Sequence, residues 1–336
     1  MANAREWVEG ARLRTLPASI SAVVAGTGVA WFAATTAGPP FSSPPATSWA
    51  MPVLCLIVGL GFQIGGNFSN DYSDGIRGTD DNRVGPMRLV GSGAASPGAV
   101  KRAAWICFAV ALLAGLVIIC WAFSLFSAAT WQTLAHDPAH SDLFVPLILV
   151  VVGAACLLAA WFYTGGKRPY GYSGLGEVFV FIFFGLVPAI GTAYVVAPRL
   201  CATCGRQLAW WPAILAGILT GAISTGILVA NNLRDIDTDR AAGKITLPVR
   251  LGDKGTRWLY TWSIIIGGLC VIVIGVISTW YALIGLAGLI LIVPSVRQVL
   301  AGAKGRDLIH VLKMTGLAEL ATCVLLTVGL GIGWYA

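Results

Sequence analysis

The sequence predicts an all-α, polytopic membrane protein of about nine transmembrane helices in one bundle, with an internal repeat of about four helices. Three observations carry this. The 336 residues are 57% hydrophobic and only 11% charged, with a mean hydropathy of +0.80. A soluble domain carries about 25% charged residues, so this stock builds no aqueous surface. Second, nine stretches approach the ~20 mainly apolar residues that a span requires. They are 17–37, 50–70, 103–127, 143–163, 176–197, 210–231, 258–278, 280–297 and 312–335. None alternates with period 2, and lipid otherwise admits only helices, because each backbone polar group must be satisfied within its own segment. Third, with nine spans, 20 of the 22 Lys and Arg residues fall on one side of the membrane. Only Arg199 and Arg206 fall on the other. Basic residues stay cytoplasmic, so the N-terminus is predicted to be cytoplasmic.

Taken in chain order, Arg5, Arg12 and Arg14 precede the first span, and no small-residue cleavage site follows it, so it reads as a retained helix. Loops 38–49 and 128–142 are rich in Pro, Ser and His, carry no Lys or Arg, and read as passive extracytoplasmic connectors. His136 and His140 are spaced i, i+4, but Pro138 between them breaks a helix, so they read as exposed loop residues. Cys55, Cys107, Cys120, Cys156, Cys270 and Cys323 lie inside spans and read as small packed hydrophobes. Cys201 and Cys204 form a lone C-x-x-C in an extracytoplasmic loop, which suits a local disulfide or free thiols better than zinc. The net charge of +7 follows from topology and gives no argument for nucleic acid.

The cytoplasmic loops 71–102 and 232–257 hold the information. Each begins with Asn, then clustered Asp, then Gly with basic residues, and Asp71 and Asp235 lie 164 positions apart, about half the chain. That echo predicts a single membrane-embedded domain over 1–336, with repeat halves roughly 1–165 and 166–300 and a final helix at 312–335.

Seven of the 15 acidic residues sit in these two segments: Asp71, Asp74, Asp80, Asp81, Asp235, Asp237 and Asp239. At about 100° per residue, Asn67, Asn70, Asp71 and Asp74 form one polar stripe at the end of the second span. Asn231, Asp235 and Asp239 recur at i, i+4, i+8 and share another face, while Asp237 points elsewhere. Two facing carboxylate stripes repel unless a cation lies between them. Oxygen-only ligands select a hard ion, and Mg²⁺ characteristically bridges to substrate phosphates. Arg77, Arg83, Arg88, Arg234, Arg240 and Lys244 surround the stripes and favour an anionic substrate. Metal and bases around a phosphate are the means of stabilising a diphosphate leaving group. Positive-inside topology explains the bases but does not call for seven aspartates. No phosphate-binding Gly-rich motif occurs, and an EF-hand reading of 235–246 fails because Arg240 replaces the required Gly and Thr246 the closing Glu.

These residues resemble the UbiA superfamily of intramembrane prenyltransferases. The segment NFSNDYSDGIRGTDDNRVGPMR is similar to the first family motif, with the N-D-x-x-D core at Asn70, Asp71 and Asp74. NNLRDIDTDRAAGKITLPVRLG is similar to the second, with D-x-x-x-D at Asp235 and Asp239, and YTGGK to a Y-x-x-x-K at Tyr163 and Lys167. The general family has a further Asp where this chain has Gly78; a Gly releases the backbone from the helix, so Asp80 or Asp81 becomes a replacement ligand. The pattern Gly78, Asp80, Arg83, Gly85, Arg88, with ARLRTLPASI and GYSGLGE, resembles the 1,4-dihydroxy-2-naphthoate polyprenyltransferase branch.

The resemblance implies Mg²⁺ held by Asn70, Asp74, Asp235 and Asp239, with Asp80 or Asp81 added, binding a polyprenyl diphosphate. Asp74, Asp235, Asp239 and Lys167 are then the catalytic set. Asn67, Asp71, Tyr163, Asn231, Arg234, Lys244 and Arg14 bind substrate, with Tyr163, Lys244 and Arg14 at the diphosphate, and Arg83 or, better placed by the turn Gly91 to Gly93, Arg88 grips the acceptor carboxylate. The allylic cation left by the diphosphate is attacked by the naphthoate ring, which loses its carboxylate as carbon dioxide. Trp161, Phe179, Phe183 and Phe184 are candidate cation shields, though ordinary packing explains each of them singly. The prenyl tail lies among helices or toward the lipid bilayer of the cytoplasmic (inner) membrane. A family member acting on another acceptor, such as 4-hydroxybenzoate, stays open as an alternative. An ion-coupled transporter also combines intramembrane acids with repeats, but its acids belong at the midplane and not at one face.

Overall fold

The computed structural model describes residues 2–36, 49–79, 87–125, 144–200 and 209–333, and every regular element among them is helical. The chain starts with a helix ahead of the first predicted span. In α1 (Ala4–Gly10) Asn3 and Glu6 form a reciprocal capping box, each side chain accepting from the other's backbone N–H at 3.0 and 2.7 Å. Arg12 then takes a left-handed φ of 55°, and a 3₁₀ turn, Leu13–Thr15, leads into α2 (Leu16–Thr36). Trp7 packs edge-on against Phe68, with centroids 5.6 Å apart, and so folds this N-terminal piece onto α3 (Ala50–Gly75).

α4 (Pro97–Ala122) begins six residues ahead of the predicted window, because Ser96 caps it through the Ala99 N–H at 3.3 Å and Pro97 occupies the first turn. α5 (Phe144–Phe162) follows, then a 3₁₀ turn at Tyr170–Ser173. The predicted span 176–197 is α6 (Gly176–Val180), a π-helical stretch Phe181–Leu186 and α7 (Val187–Leu200). α8 (Trp210–Arg234), the short α9 (Ile236–Ala241) and the long α10 (Leu247–Ile277) come next. The predicted span 280–297 is a patchwork: 3₁₀ at Trp280–Gly285, α11 (Leu286–Leu289), 3₁₀ at Ile290–Ile292 and α12 (Val293–Leu300). α13 (Asp307–Ile332) is the last helix.

Among the described residues, nine helical segments are long and apolar enough to cross a membrane. The protein is therefore a multi-pass membrane protein. Predicted ends differ from observed ones by several residues because a hydropathy window stops where polar residues begin, whereas caps and functional stripes extend helices into polar sequence. α3 packs on α4, α8 on α10, and α2 lies between α7 and α13. Leu219 and Ile223 of α8 meet Val271 and Ile274 of α10 and Leu326 and Leu330 of α13 in the largest buried cluster. Ile106, Leu113, Leu147, Val151 and Val276 are exposed on outer faces, as lipid contact requires.

The π-helical stretch has a packing reason. A Cβ on Gly185 would collide with the backbone of Gly217 and Gly221, so glycines on both helices allow α8 to approach backbone to backbone. This draws the end of α8 toward α6 and the turn before it. The six described cysteines are unbridged and half-buried or buried. His136, His140, Cys201 and Cys204 lie outside the described residues, as do Asp80, Asp81 and Arg83.

Candidate active site

A cavity of about 1030 Å³ enters the bundle from the end where α3 and α8 terminate. Its polar end is lined by Asn67, Asn70 and Asp74 of α3, Asn231 and Arg234 of α8, Asp235, and Asp239 of α9. Arg88, Tyr163, Tyr172 and Lys244 complete that end, and the rest of the wall is mostly apolar. The two acidic clusters, half the chain apart in sequence, thus face one space.

On the α3 wall the stripe divides by function. Asp74 is 3% exposed. Its Oδ1 accepts the Tyr172 hydroxyl at 2.8 Å. Its Oδ2 lies 3.8 Å from Lys244 Nζ and 3.9 Å from Arg88 Nη2. Asn70 Oδ1 accepts the Thr164 hydroxyl at 2.9 Å. Asn67 Nδ2 donates to the Ala11 carbonyl at 2.9 Å and to Thr15 Oγ1 at 3.2 Å. Asp71 departs from the substrate-contact role expected of it. Its two oxygens accept the backbone N–H groups of Leu89 and Val90 at 2.7 and 3.0 Å, and it is absent from the cavity wall. An acid inside a helix reaches sideways to whichever backbone amides are nearest, and here they belong to the turn that carries Arg88. That turn brings Arg88 to the cavity, with its side chain 10% exposed.

Beyond Gly75 the chain leaves the helix. Gly78 takes φ of 70°, which L side chains rarely adopt, and Thr79 N–H returns to the Asp74 carbonyl at 3.2 Å. The Arg77 guanidinium donates to the carbonyls of Thr164 and Gly166, tying the end of α3 to the turn after α5.

On the α8 wall a helix continuous through 231–239 is not what forms. α8 ends at Arg234, and Asp235 sits at φ −101°, ψ 8°, outside helical geometry. The Asp239 N–H still reaches the Asp235 carbonyl at 2.8 Å, so α9 resumes nearly in phase. Asp239 is half-buried in the cavity wall and Asp237 is exposed, the division expected from the stripe. Arg234 folds back on its neighbour: Nε and Nη2 each donate to one Asp235 oxygen at 2.7 Å, and Nη2 also donates to Asn231 Oδ1 at 2.9 Å. A bidentate guanidinium–carboxylate pair of this kind fixes orientation as well as charge.

Lys244 bridges the walls. Its backbone N–H donates to the Asp239 carbonyl at 2.8 Å, and its Nζ lies 4.6 Å from the Tyr172 ring centroid. Burial, and secondarily the Asp74 charge, holds the Tyr172 hydroxyl well above the ordinary tyrosine range. Burial does the same for Tyr163 and Tyr170. These phenols therefore remain protonated; Tyr172 donates to Asp74, and Tyr170 to the Ala159 carbonyl at 2.7 Å.

Lys167 is not brought into the cavity wall: it is exposed on the turn that Arg77 holds, while Tyr163 of the same motif lines the cavity. Residues 163 to 167 lie past the end of α5 in a tight turn, so the helical spacing that would put both on one face is lost. Arg14 lines the cavity from an exposed position. Sequence reasoning gave no role to Thr164, Tyr172 or the buried pair in which Asn232 Nδ2 donates to Glu177 Oε1 at 2.9 Å. The signal for Glu177 was a carboxylate inside an apolar span; for Tyr172 there was none beyond the GYSGLGE resemblance.

Asn70, Asp74, Asp235 and Asp239 offer oxygen donors only, which suits a hard divalent cation. Among the described residues no group of three or more His, Cys, Asp or Glu stands close enough to hold a metal by itself. Mg²⁺ is ordinarily held by one or two carboxylates together with phosphates and water, so one or two acids on each wall fit that mode.

Comparison with known proteins agrees with this geometry. The model of the UbiA prenyltransferase family matches residues 23–317. The chain is 43% identical to the 1,4-dihydroxy-2-naphthoate octaprenyltransferase of Mycobacterium tuberculosis over 334 residues, 99% of each chain. To the enzyme of the same name from Mycobacterium leprae it is 43% identical over 319 residues, covering 95% of this chain and 93% of the relative. The structure of a UbiA homolog from Archaeoglobus fulgidus bound to DMAPP and Mg²⁺ superposes with a TM-score of 0.54 at 13% identity, covering 96% of this chain and 99% of that one. At that identity the likeness establishes fold. With the family model spanning most of its length, both motifs facing one cavity and near-full-length relatives, the chain belongs to the UbiA prenyltransferase family.

Proposed function

We propose that this protein transfers a polyprenyl chain from polyprenyl diphosphate to 1,4-dihydroxy-2-naphthoate, with loss of the naphthoate carboxylate as carbon dioxide and with Mg²⁺ as cofactor. The observation that carries the reading is 43% identity over 99% of both chains to a protein named for that acceptor. The cavity supports it, because a polar, cation-rich end continuous with an apolar body matches a diphosphate attached to a hydrocarbon.

Asp74 with Asn70 on one wall, and Asp235 with Asp239 on the other, would hold Mg²⁺. When bound, it neutralises the departing diphosphate and favours cleavage of the allylic C–O bond. Lys244 and Arg88, both beside Asp74, supply further positive charge to the diphosphate oxygens. The neutral Tyr172 hydroxyl donates to Asp74 and keeps its carboxylate oriented. Arg234 keeps Asp235 aimed in the same way. Phe179 and Phe183, stacked with centroids 5.8 Å apart and lining the cavity, offer ring faces to a developing carbocation and exclude water from it. Arg88 stands at the Asp74 end of the cavity, which suits the diphosphate better than the acceptor carboxylate first expected there. Arg14, which lines the cavity from an exposed position, remains a donor contact at the rim. In this reading each half of the sequence echo supplies one acidic wall, and the excess of Lys and Arg on one side supports a site at the cytoplasmic face of the inner membrane.

The test is an assay of purified protein with carboxyl-labelled dihydroxynaphthoate, a polyprenyl diphosphate and Mg²⁺. Label should leave as carbon dioxide in step with diphosphate release, and chelation should stop both. Faster prenylation of 4-hydroxybenzoate, or label retained in the product, would overturn the acceptor. Absence of metal-dependent diphosphate release with every acceptor would overturn the transferase reading and favour transport.

A further inference from the structure

Eleven residues before Asp235 on α8, about 16 Å along the helix axis, stands Ser224, a cavity-lining residue deep among apolar ones. Its hydroxyl donates to Oε1 of Glu319 on α13 at 3.0 Å. Glu319 has no solvent exposure, and its Oε2 meets no hydrogen-bonding partner among the described residues. Both groups lie within membrane-crossing segments. Helix packing alone gives no reason for them, since apolar side chains would fill the contact between α8 and α13 without desolvating a carboxyl. An ionisable residue kept inside a span points to a task, and its one hydrogen-bonded partner lines the substrate cavity.

The opposite wall repeats the chemistry. Ser19 of α2 donates to Gln63 Oε1 at 3.1 Å, and Gln63 Nε2 donates to Thr15 Oγ1 at 2.9 Å. Ser19, Gln63 and Thr15 all line the same cavity, and Gln63 also lies eleven residues before its acid, Asp74. Hydrogen-bonding groups therefore extend past the acids on both walls, but those on the α3 side satisfy one another and run back to Asn67 through Thr15, whereas the Ser224 oxygen is left to accept from a ligand. A prenyl tail has no polar hydrogen to offer it. A ring bearing hydroxyl groups has.

We propose that Ser224, its hydroxyl held by the buried carboxyl of Glu319, accepts a hydrogen bond from a ring hydroxyl of the aromatic acceptor, with Glu319 as the positioning residue. The idea rests on the transferase reading and adds where the acceptor is recognised. The direction of the bond follows from proton use. Ser224 gives its one hydrogen to Glu319, so its oxygen is left as an acceptor and favours a ligand O–H over a carbonyl or an ether. A site built to take a hydroxyl rejects the analogue lacking one, because its own polar group is then left unpaired.

The experiment compares dihydroxynaphthoate with its two monomethyl ethers in wild type, Ser224→Ala, Glu319→Gln and Glu319→Leu, all in lipid nanodiscs. In wild type, methylation at one ring position should lower kcat/KM at least about tenfold. Ser224→Ala should bring that preference to within about twofold by raising the acceptor KM, with the prenyl diphosphate KM unchanged. Glu319→Gln keeps an oxygen for the Ser224 hydroxyl and should retain the preference; Glu319→Leu should lose it. If Ser224→Ala or Glu319→Leu fails to fold, the other reads the same preference, and thermal unfolding identifies such a failure. A preference unchanged in the folded variant, no preference in wild type, or a donor KM that rises as much as the acceptor KM would each overturn the proposal. Failure of wild type to prenylate any hydroxylated aromatic would instead overturn the function on which it rests.

Discussion

The two acidic walls look alike in sequence and work differently in space. On the α3 wall the first aspartate of the motif, Asp71, is turned to a backbone turn, and the second, Asp74, carries the cavity side with a tyrosine, a lysine and an arginine from distant segments around it. On the α8 wall the first aspartate, Asp235, is in the cavity, clamped by its immediate neighbour Arg234, and the second, Asp239, is reached by restarting the helix. One wall is therefore assembled from long-range contacts and the other largely from local ones. Two similar segments present the same type of oxygen donor, while the role of each position is set by what the rest of the chain places beside it.

The largest effect expected from this difference is at the two buried cavity aspartates. Asp74→Asn and Asp235→Asn should each lower kcat about 100-fold or more, with the protein still folded and membrane-inserted, because a neutral amide of equal volume loses most of its hold on a divalent cation. Turnover above a tenth of wild type in both variants would break the two-wall arrangement. Next comes the local wall. Asp239→Ala should cost at least about tenfold in kcat/KM, the loss seen even for residues that only support a metal's ligands, whereas the exposed Asp237 should tolerate Ala within about twofold. Equal losses at the two positions would remove the distinction between cavity-facing and solvent-facing acids on α9.

The smallest effect on chemistry, and the most telling for the comparison, belongs to Asp71. Asp71→Asn leaves the Leu89 and Val90 amides with a weaker, neutral acceptor, a change worth about 1–2 kcal/mol for hydrogen bonds to a charged group. Amide exchange at Leu89 and Val90 should accelerate, and thermal stability should fall, while kcat declines far less than in Asp74→Asn. Unchanged exchange at those two amides, or a kcat as low as that of Asp74→Asn, would return Asp71 to the cavity.

Much of the molecule was legible in the chain. The helical class, the nine spans and the placement of both acidic clusters at helix ends follow from hydropathy and from the bar on unsatisfied backbone groups in lipid, both of which act over one segment at a time. The exposure of Asp237 followed from helical phase alone. What misled was a motif and a phase carried past helix ends: Tyr163 and Lys167, paired by the resemblance of YTGGK, separate because α5 stops at Phe162, and the stripe through Asp235 survives only because α9 resumes almost in register. The segment before the first span, in which the sequence marked only Arg5, Arg12 and Arg14, folds as α1, since its capping box is local and its hold on the bundle is the Trp7–Phe68 contact, 61 positions apart.

By itself, then, the sequence determined a multi-pass helical bundle with two oxygen-rich stripes and a surplus of cations around them. Hydropathy, helical period and charge count are sums over neighbouring residues, and no tertiary contact alters them. Only the tertiary structure decided which acids face the cavity, that Lys244 lies near an aspartate 170 positions away, that Tyr172 orients that aspartate, and that a buried glutamate on the last helix holds a serine in the cavity wall. Those facts depend on where turns and helix ends put side chains from different segments, and such distances are set jointly by all the packed helices.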